Sequence, residues 1–314
     1  MKLIDKLRHH PHPLRWMAGK ALRLSSPLIK SDRLYVRLEY FLEMGRRLNL
    51  KNPTTYNEKL QWLKLNYRRA DYPALVDKST VKPLVEPIID SAHIIPTLGV
   101  WDSFDEIDFD KLPRGFVLKT THDSGGVAVI PDKEKMDKAA LRSKIEHSLR
   151  HNFYLEHREY PYGAIKPRIM AEELISEPDG GELRDYKFFC FDGEVRLLFV
   201  ATDRSHDTRF DFFDTDFKPL PFTQGHPRAD KLPGRPECFD GMKAMAAKLS
   251  KGHPHVRVDI YETGGKIYFG ELTFSPWGGI MNSYSNEGVS SGVSLTNNLQ
   301  YEVYFLWRFR KPRS

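Results

Sequence analysis

The residues best suited to chemistry lie late in the chain, in HVRVDIY (255–261) and KIYFGELTF (266–274), two runs that bracket Thr263-Gly264-Gly265. Alternation within each run predicts a β-hairpin. With a loop of Thr263–Gly265 and glycine in the left-handed position, one face is Val256, Val258, Ile260, Tyr268, Gly270, Leu272 and Phe274. The other face presents Arg257, Asp259, Glu271 and Thr273. Burial of the apolar face selects this register, in which Arg257 opposes Glu271 and Asp259 is the diagonal neighbour. Two carboxylates side by side repel unless a cation lies between them. Hard oxygen ligands at such spacing suit Mg²⁺, which completes its shell with water and substrate phosphates. The alternative is that Arg257 itself neutralises both acids.

A second constellation is FVLKTTHDSGG (116–126). Lys119 closes a short strand, and Ser124, Gly125 and Gly126 form a tip whose amides could approach an anion closely. Neither GxxxxGK[ST] nor GxGxxG is present, so a Walker loop and a dinucleotide fingerprint are excluded. The third is RIMAEELI (168–175) followed by GELRDYK. Glu172 and Glu173 end an apolar strand where they could surround adenine and ribose, with Glu182 as a further ribose contact. Arg184 and Lys187 are expected to face one way on the next strand.

These groups need elements to position them. Leu34, Leu38, Phe41 and Leu42 mark a helix over 32–48, and Thr55 with Glu58 forms a capping-box pattern ahead of Leu60, Leu63 and Tyr67. FVLKT (116–120) and VAVI (127–130) read as strands, and 133–151 as an amphipathic helix. LRDYKFFCF and EVRLLFVAT form a hairpin turning at Asp192-Gly193. A helix runs from about 240 to 250 and stops at Gly252. Strands joined mainly by hairpins and mixed with helices indicate an α+β layered protein. The organisation expected is a basic helical segment (1–50), an N-terminal subdomain (51–115), a central lid subdomain (116–175), a C-terminal subdomain carrying the metal site (176–290) and a basic tail (291–314).

Composition narrows the partners. The net charge of +6 is unevenly spread: residues 1–30 carry +6 and 308–314 carry +4, leaving 31–307 at −4. Basic ends with Trp16, Met17, Leu22 and Leu24, and with Phe305, Leu306, Trp307 and Phe309, suit an anionic membrane surface. No zinc-finger, helix-turn-helix or RNP-like pattern supports nucleic acid. Cys190 and Cys238 are the only cysteines and form no CxxC pair, which disfavours structural zinc and a disulfide framework. No apolar run approaches the roughly 20 residues of a membrane span, and the N-terminus has no signal-peptide pattern. The expected location is cytoplasmic, with peripheral contact at the inner face of the membrane.

In this order the segments NPTTYNEKLQWLKL, VDKSTVKPLV, IIPTLGVWDSFDEIDF, FVLKTTHDSGG, ELRDYKFFCFDGE and VRVDIYETGGKIYFGELTFSPWGG resemble the ATP-grasp superfamily. The similarity is to the TupA-like branch, named for a teichuronopeptide-biosynthesis protein and often labelled glycosyltransferase. It implies an ATP-grasp fold of two α+β subdomains gripping ATP, with Lys78 and Lys119 on the phosphates beneath the glycine loop. It implies an adenine hinge at Glu172 and Glu173 with Glu182 near the ribose, and Mg²⁺ on Asp259 and Glu271. Thr273 takes the place of an asparagine usual in such sites. Arg257, with Lys187 and Arg184, becomes the charge clamp. The implied reaction joins a carboxylate acceptor, a uronic-acid glycan or peptide, to an amine donor through an acyl phosphate. The rivals are a glycosyltransferase, for which Asp214-Thr215-Asp216 offers the only DxD letters considered, and a non-catalytic nucleotide-binding protein.

Overall fold

The computed structural model describes residues 12–178, 180–204, 206–281 and 283–285. The basic and aromatic residues of the 291–314 tail and those of residues 1–11 lie outside the described residues.

Helix α1 (Pro13–Leu24) begins with proline in its first turn, where no amide donor is needed. Helix α2 (Asp32–Met44) is capped by the Ser31 hydroxyl, which accepts from the Leu34 amide, and closes at Gly45 with φ 70°. The expected stripe on α2 faces outward: Leu34, Leu38 and Phe41 are exposed, while Tyr35, Val36 and Tyr40 are buried. Helix α3 (Tyr56–Asn66) opens with the expected capping box between Thr55 and Glu58. Two shorter helices, α4 (Tyr72–Val76) and α5 (Val81–Ile89), follow.

A four-stranded antiparallel sheet comes next, in the order β1-β4-β2-β3. Its strands are β1 (Thr97–Trp101), β2 (Phe116–Thr120), β3 (Val127–Ile130) and β4 (Ile169–Glu173). The sequence reading does not register β1, which pairs with β4 from the far side of the proposed boundary at 115. Helix α6 (Lys138–Arg150) covers this sheet, placing Leu141 and Ile145 against Phe116 and Leu118.

The larger sheet has five antiparallel strands in the order β10-β9-β5-β6-β7. They are β5 (Asp185–Phe191), β6 (Glu194–Thr202), β7 (Arg209–Phe213), β9 (Val256–Thr263) and β10 (Lys266–Thr273), while β8 (Phe222–Gln224) pairs separately with β11 (Ser283–Ser285). Strands β5 and β6 turn at Asp192 (φ 49°) and Gly193 (φ 87°), the double positive φ of a type I′ turn. One face packs under α7 (Phe239–Ser250): Phe188, Val200, Val258 and Ile260 meet Phe239, Met242 and Leu249. On the other, Phe189, Phe191 and Phe199 receive Tyr56, Leu60 and Leu63 of α3.

The β9–β10 register corrects the one read from the sequence. The connection is the two glycines Gly264 and Gly265, so Thr263 faces Lys266 and Phe269 faces Ile260. A bulge between Phe269 and Glu271 then reverses the parity. Phe269 precedes the bulge and Leu272 follows it, yet both are buried, and Glu271 lands opposite Asp259 with Thr273 opposite Arg257. Tyr268 pairs with Tyr261 instead of entering the apolar face. The sequence argument assumed unbroken alternation, which a bulge defeats.

Gly270 is the residue at the bulge, and a Cβ there would lie 3.0 Å from the Asp259 carbonyl oxygen. Because the obstacle is backbone, it has little freedom to yield. Gly270→Val is expected to cost about 1–3 kcal/mol of stability through overpacking, measured by denaturant unfolding. An unchanged midpoint would mean that the bulge does not require glycine.

Candidate functional site

Charge collects on the odd-numbered face of β5 and β9 in the larger sheet, with Lys78 and the glycine loop beside it. Strand alternation puts Asp185 and Lys187 of β5 on one face with Arg257 and Asp259 of β9, because Lys187 pairs with Asp259 across the ladder. Arg257 binds Asp259 through two contacts, Nε to Oδ1 at 2.6 Å and Nη2 to Oδ2 at 2.7 Å. The same Nη2 donates to Glu271 Oε1 and to the Thr273 hydroxyl, each at 3.0 Å. Lys187 contacts Asp259 and reaches Asp185 Oδ2 at 2.7 Å, and Arg204 adds a second cation 3.4 Å from that oxygen. Asp185 and Arg204 were not found from sequence, although the Asp-x-Lys spacing on a strand already places both side chains on one face.

Burial works to raise the Glu271 carboxyl, yet Lys78, Lys187 and Arg257 hold it down at about 2. Burial pulls the Lys78 ammonium down, opposed mainly by Glu271 and Asp123. Lys78 therefore links the two sheets: it donates to the Asp123 carbonyl in the glycine loop and senses Glu271 on β10. Lys119 forms an ion pair with Glu172, whose other oxygen lies 2.8 Å from Lys82 Nζ. Burial tends to raise Glu172, but Lys119 and Lys82 leave it below the usual carboxylate range.

Several expected roles change. The Glu172 carboxylate is buried between Lys82 and Lys119, so its side chain is engaged by two cations; Glu173 is exposed. Arg184 precedes β5 and does not share a face with Lys187, since a separation of three residues reverses orientation in a strand. It lies by the Tyr186 hydroxyl instead. Glu182 is an exposed residue of the approach to β5. Thr273 accepts from Arg257 and donates to Glu271 at 3.3 Å, so its hydroxyl orders the clamp and has little left for a metal.

The glycine loop is more tightly built than its sequence suggests. Asp123 accepts from the Thr120 and Ser148 hydroxyls, and from the Gly126 amide at 3.1 Å. Burial raises the Asp123 carboxyl, but those hydroxyl donors outweigh it and leave it low. A Cβ on Gly126 would sit 2.0 Å from Thr120 Oγ1, so this glycine serves the Asp123 network. Gly125 has open space around it, and with Ser124 it remains the exposed tip.

The carboxylates suit Mg²⁺ in donor chemistry: Asp259 and Glu271 face each other directly, and Mg²⁺ commonly takes one or two carboxylates plus phosphate oxygens. Among the described residues there is no cluster of three or more His, Cys, Asp or Glu side chains able to hold a metal alone. Any cation here must share Asp259 with Arg257 and Lys187.

The family model described as TupA-like ATPgrasp matches residues 58–289, which contain every side chain of this cluster. The chain belongs to that family. Solved structures similar to this TupA-like ATP-grasp chain include D-alanine–D-alanine ligase from Bacillus anthracis complexed with ATP (15% identity, TM-score 0.40, 64% of this chain and 55% of that one). Another is the ATP-grasp ligase PsnB complexed with minimal precursor, Mg and ADP (13% identity, TM-score 0.38, 70% of this chain and 58% of that one). The aligned region thus spans between half and two thirds of each. No curated protein matches the chain.

Beyond Arg257 and Thr273, the next residues of the same rows are His255 and Ser275, which line a small cavity of about 20 Å³ with Lys64, Glu159, Tyr162 and Phe274. Such a space holds about one water molecule. Glu159 is 5% exposed, and its carboxylate has no hydrogen-bond or ion-pair partner among the described residues. Burial pushes it up to about 7, with Lys64 and His157 opposing. A carboxyl raised in the folded state supports folding fully below its unfolded value of 4.5, and that support is lost as pH climbs through about 7. Glu159→Gln is therefore expected to exceed the parent in stability by roughly 3 kcal/mol at about pH 8 and to match it near pH 4.5. Thermal unfolding of both proteins across that range measures the difference; parallel curves would place Glu159 in contact with a cation.

Proposed function

We propose that this ATP-grasp chain is an ATP- and Mg²⁺-dependent carboxylate–amine ligase. The observation that supports it best is the run Lys78, Glu271, Arg257, Asp259 and Lys187, buried and half-buried opposite charges in contact with one another, with Lys119 on β2 of the smaller sheet. Such a site suits a reactant that is itself densely anionic and brings charge to exchange partners with. A carboxylate oxygen attacks the γ-phosphorus of ATP, the bond to ADP breaks, and an acyl phosphate forms. An amine nitrogen then attacks the acyl carbon, inorganic phosphate leaves and the amine loses its proton. Mg²⁺ on Glu271 and Asp259 supplies charge that offsets the anionic oxygens.

The remaining work falls to this chain's side chains. Lys119 and Lys78 hold the phosphate end, and Lys187 and Arg257 orient the acyl group from the opposite side. Asp185 keeps Lys187 in place, and Thr273 does so for Arg257. The loop with Ser124 and Gly125 at its tip excludes water from the acyl phosphate when it closes. The acceptor is a uronic-acid glycan or peptide-like carboxylate of cell-surface polysaccharide assembly, and the basic termini hold the protein at an anionic membrane. The glycosyltransferase alternative has little support at Asp214-Thr215-Asp216. Asp214 accepts from the backbone amides of Asp216 and Lys218, so it serves the turn.

ADP release scanned over amino acids, amines and uronic-acid glycans, with mass spectrometry of products, tests the reaction. An amide product confirms it, whereas nucleotide-sugar turnover without ATP supports a glycosyltransferase and ATP binding without ADP release a non-catalytic role. In the same assay Asp259→Asn and Glu271→Gln are each expected to lose at least about 100-fold in turnover per folded molecule, and Asp259→Asn also to melt lower because Arg257 and Lys187 lose their shared partner. Lys119→Ala is expected to weaken ATP binding by calorimetry, and Lys119→Arg to restore it poorly, since the larger fork would pair with both Glu172 oxygens, one of which Lys82 holds, and turn away from the loop. Unchanged ATP affinity in Lys119→Ala would remove the phosphate role.

A further inference from the structure

The two N-terminal helices expose their apolar sides. On α2, Arg33, Arg37, Phe41, Leu34 and Leu38 fall within one outward arc, opposite the buried Tyr35, Glu39 and Tyr40. Leu34 is 51% and Phe41 48% exposed. On α1, Leu14, Met17 and Leu24 share an outward arc with Lys20, and Leu24 is 84% exposed. Leu28 projects from the connection between the helices. Isolated exposed leucines are ordinary, but this many on two packed helices call for an occupant.

Charge identifies its chemistry. Between residues 13 and 48 the cations are Arg15, Lys20, Arg23, Lys30, Arg33, Arg37, Arg46 and Arg47; the acids are Asp32, Glu39 and Glu43 alone. Each acid is already engaged: Asp32 by Arg68, Glu39 by His157 and Glu43 by Arg23. An open depression of about 450 Å³ lies among Arg37, Phe41, Arg47 and Leu48, with two guanidinium-bearing side chains beside an aromatic ring. Apolar side chains flanked by unneutralised cations are the composition of a helix that lies in a lipid interface. A second protein copy would meet the same positive field, which disfavours self-association.

We propose that the outward face of α1 and α2 docks on an anionic lipid bilayer, with Leu34, Leu38 and Phe41 entering the headgroup boundary and Arg33, Arg37 and Arg47 meeting lipid phosphates. This deepens the membrane part of the proposed function by naming a folded surface where the sequence offered only basic ends. It also gives the exposed α2 stripe a task. The ligase reading is independent of it, since no residue of this face belongs to the phosphate or carboxylate cluster.

Sedimentation of the full chain with phosphatidylcholine vesicles, with and without phosphatidylglycerol, tests the docking. Binding is expected only with the anionic lipid and to fade as salt rises. Two variants probe the face separately, Leu34→Ser/Leu38→Ser/Phe41→Ser and Arg33→Ala/Arg37→Ala/Arg47→Ala. Each is expected to weaken vesicle binding by about tenfold or more, with melting temperature and ATP affinity retained. Wild-type affinity in both variants, or no binding by the parent, overturns the proposal. So does loss of binding on removal of residues 291–314 while both variants bind normally, because the tail alone would then be the anchor. A parent dimer in sedimentation velocity that the serine variant converts to monomer also overturns it, in favour of an interface between copies. ATP affinity in the same samples keeps a failure here distinct from a failure of the ligase reading.

Discussion

The geometry of the site depends on how β10 is laid against β9. Direct opposition of Glu271 and Asp259 would be repulsive in a regular ladder, and only the adjacent Arg257 and Lys187 make it tenable. Gly270 sets that opposition by hosting a bulge that turns Glu271 toward the charged face while keeping Phe269 and Leu272 in the core. Removing any one charge leaves its neighbours buried and uncompensated, which is costly. The cluster is therefore one unit, and its parts are poor candidates for independent substitution.

The same logic extends across the two sheets. Lys78 enters from the segment ahead of α5, yet its partners are a loop carbonyl on the smaller sheet and a carboxylate on the larger. Lys119 on the smaller sheet and Lys82 on α5 share Glu172, so two cations are restrained there by a single buried acid. An incoming anion would find lysines whose attraction is only partly used. A cation would find Glu271, the least enclosed acid of the cluster, whose side chain is 37% exposed. Electrostatic preorganisation of this kind is the main means by which a phosphoryl-transfer site acts, because the protein supplies no covalent chemistry.

Rigidity is unevenly distributed around this centre. The glycine loop is anchored by Asp123 to Thr120 and to Ser148 on α6, while the tip at Ser124 and Gly125 is exposed. A loop held at its base and exposed at its tip can cover a ligand without losing register. At the opposite end, the small Glu159 cavity is lined from α3, α4 and the residues before β9, and burial of that carboxyl carries a cost in stability.

Much of this was written in the chain itself. The capping box at Thr55, the type I′ turn at Asp192-Gly193, the strands around Lys119 and the hairpin carrying Asp259 and Glu271 follow from local chemistry, and they appear at the expected places. Arg257, Asp259 and Glu271 also stood out in the sequence as charged side chains interrupting apolar strands, and the fold brings them into contact. Tertiary structure decided what depends on a partner distant in sequence. The bulge at Gly270 overrode simple alternation, and Lys82 and Lys119 converged on the Glu172 carboxylate from separate segments. The parity that separates Arg184 from Lys187 and joins Asp185 to it was already in the spacing, whereas the contact of Lys187 with Asp259 across the ladder was decided by the sheet. The outward turn of Leu34, Leu38 and Phe41 was likewise invisible to periodicity, since a 3.6-residue repeat shows that a helix has an apolar side but not which way the fold will turn it.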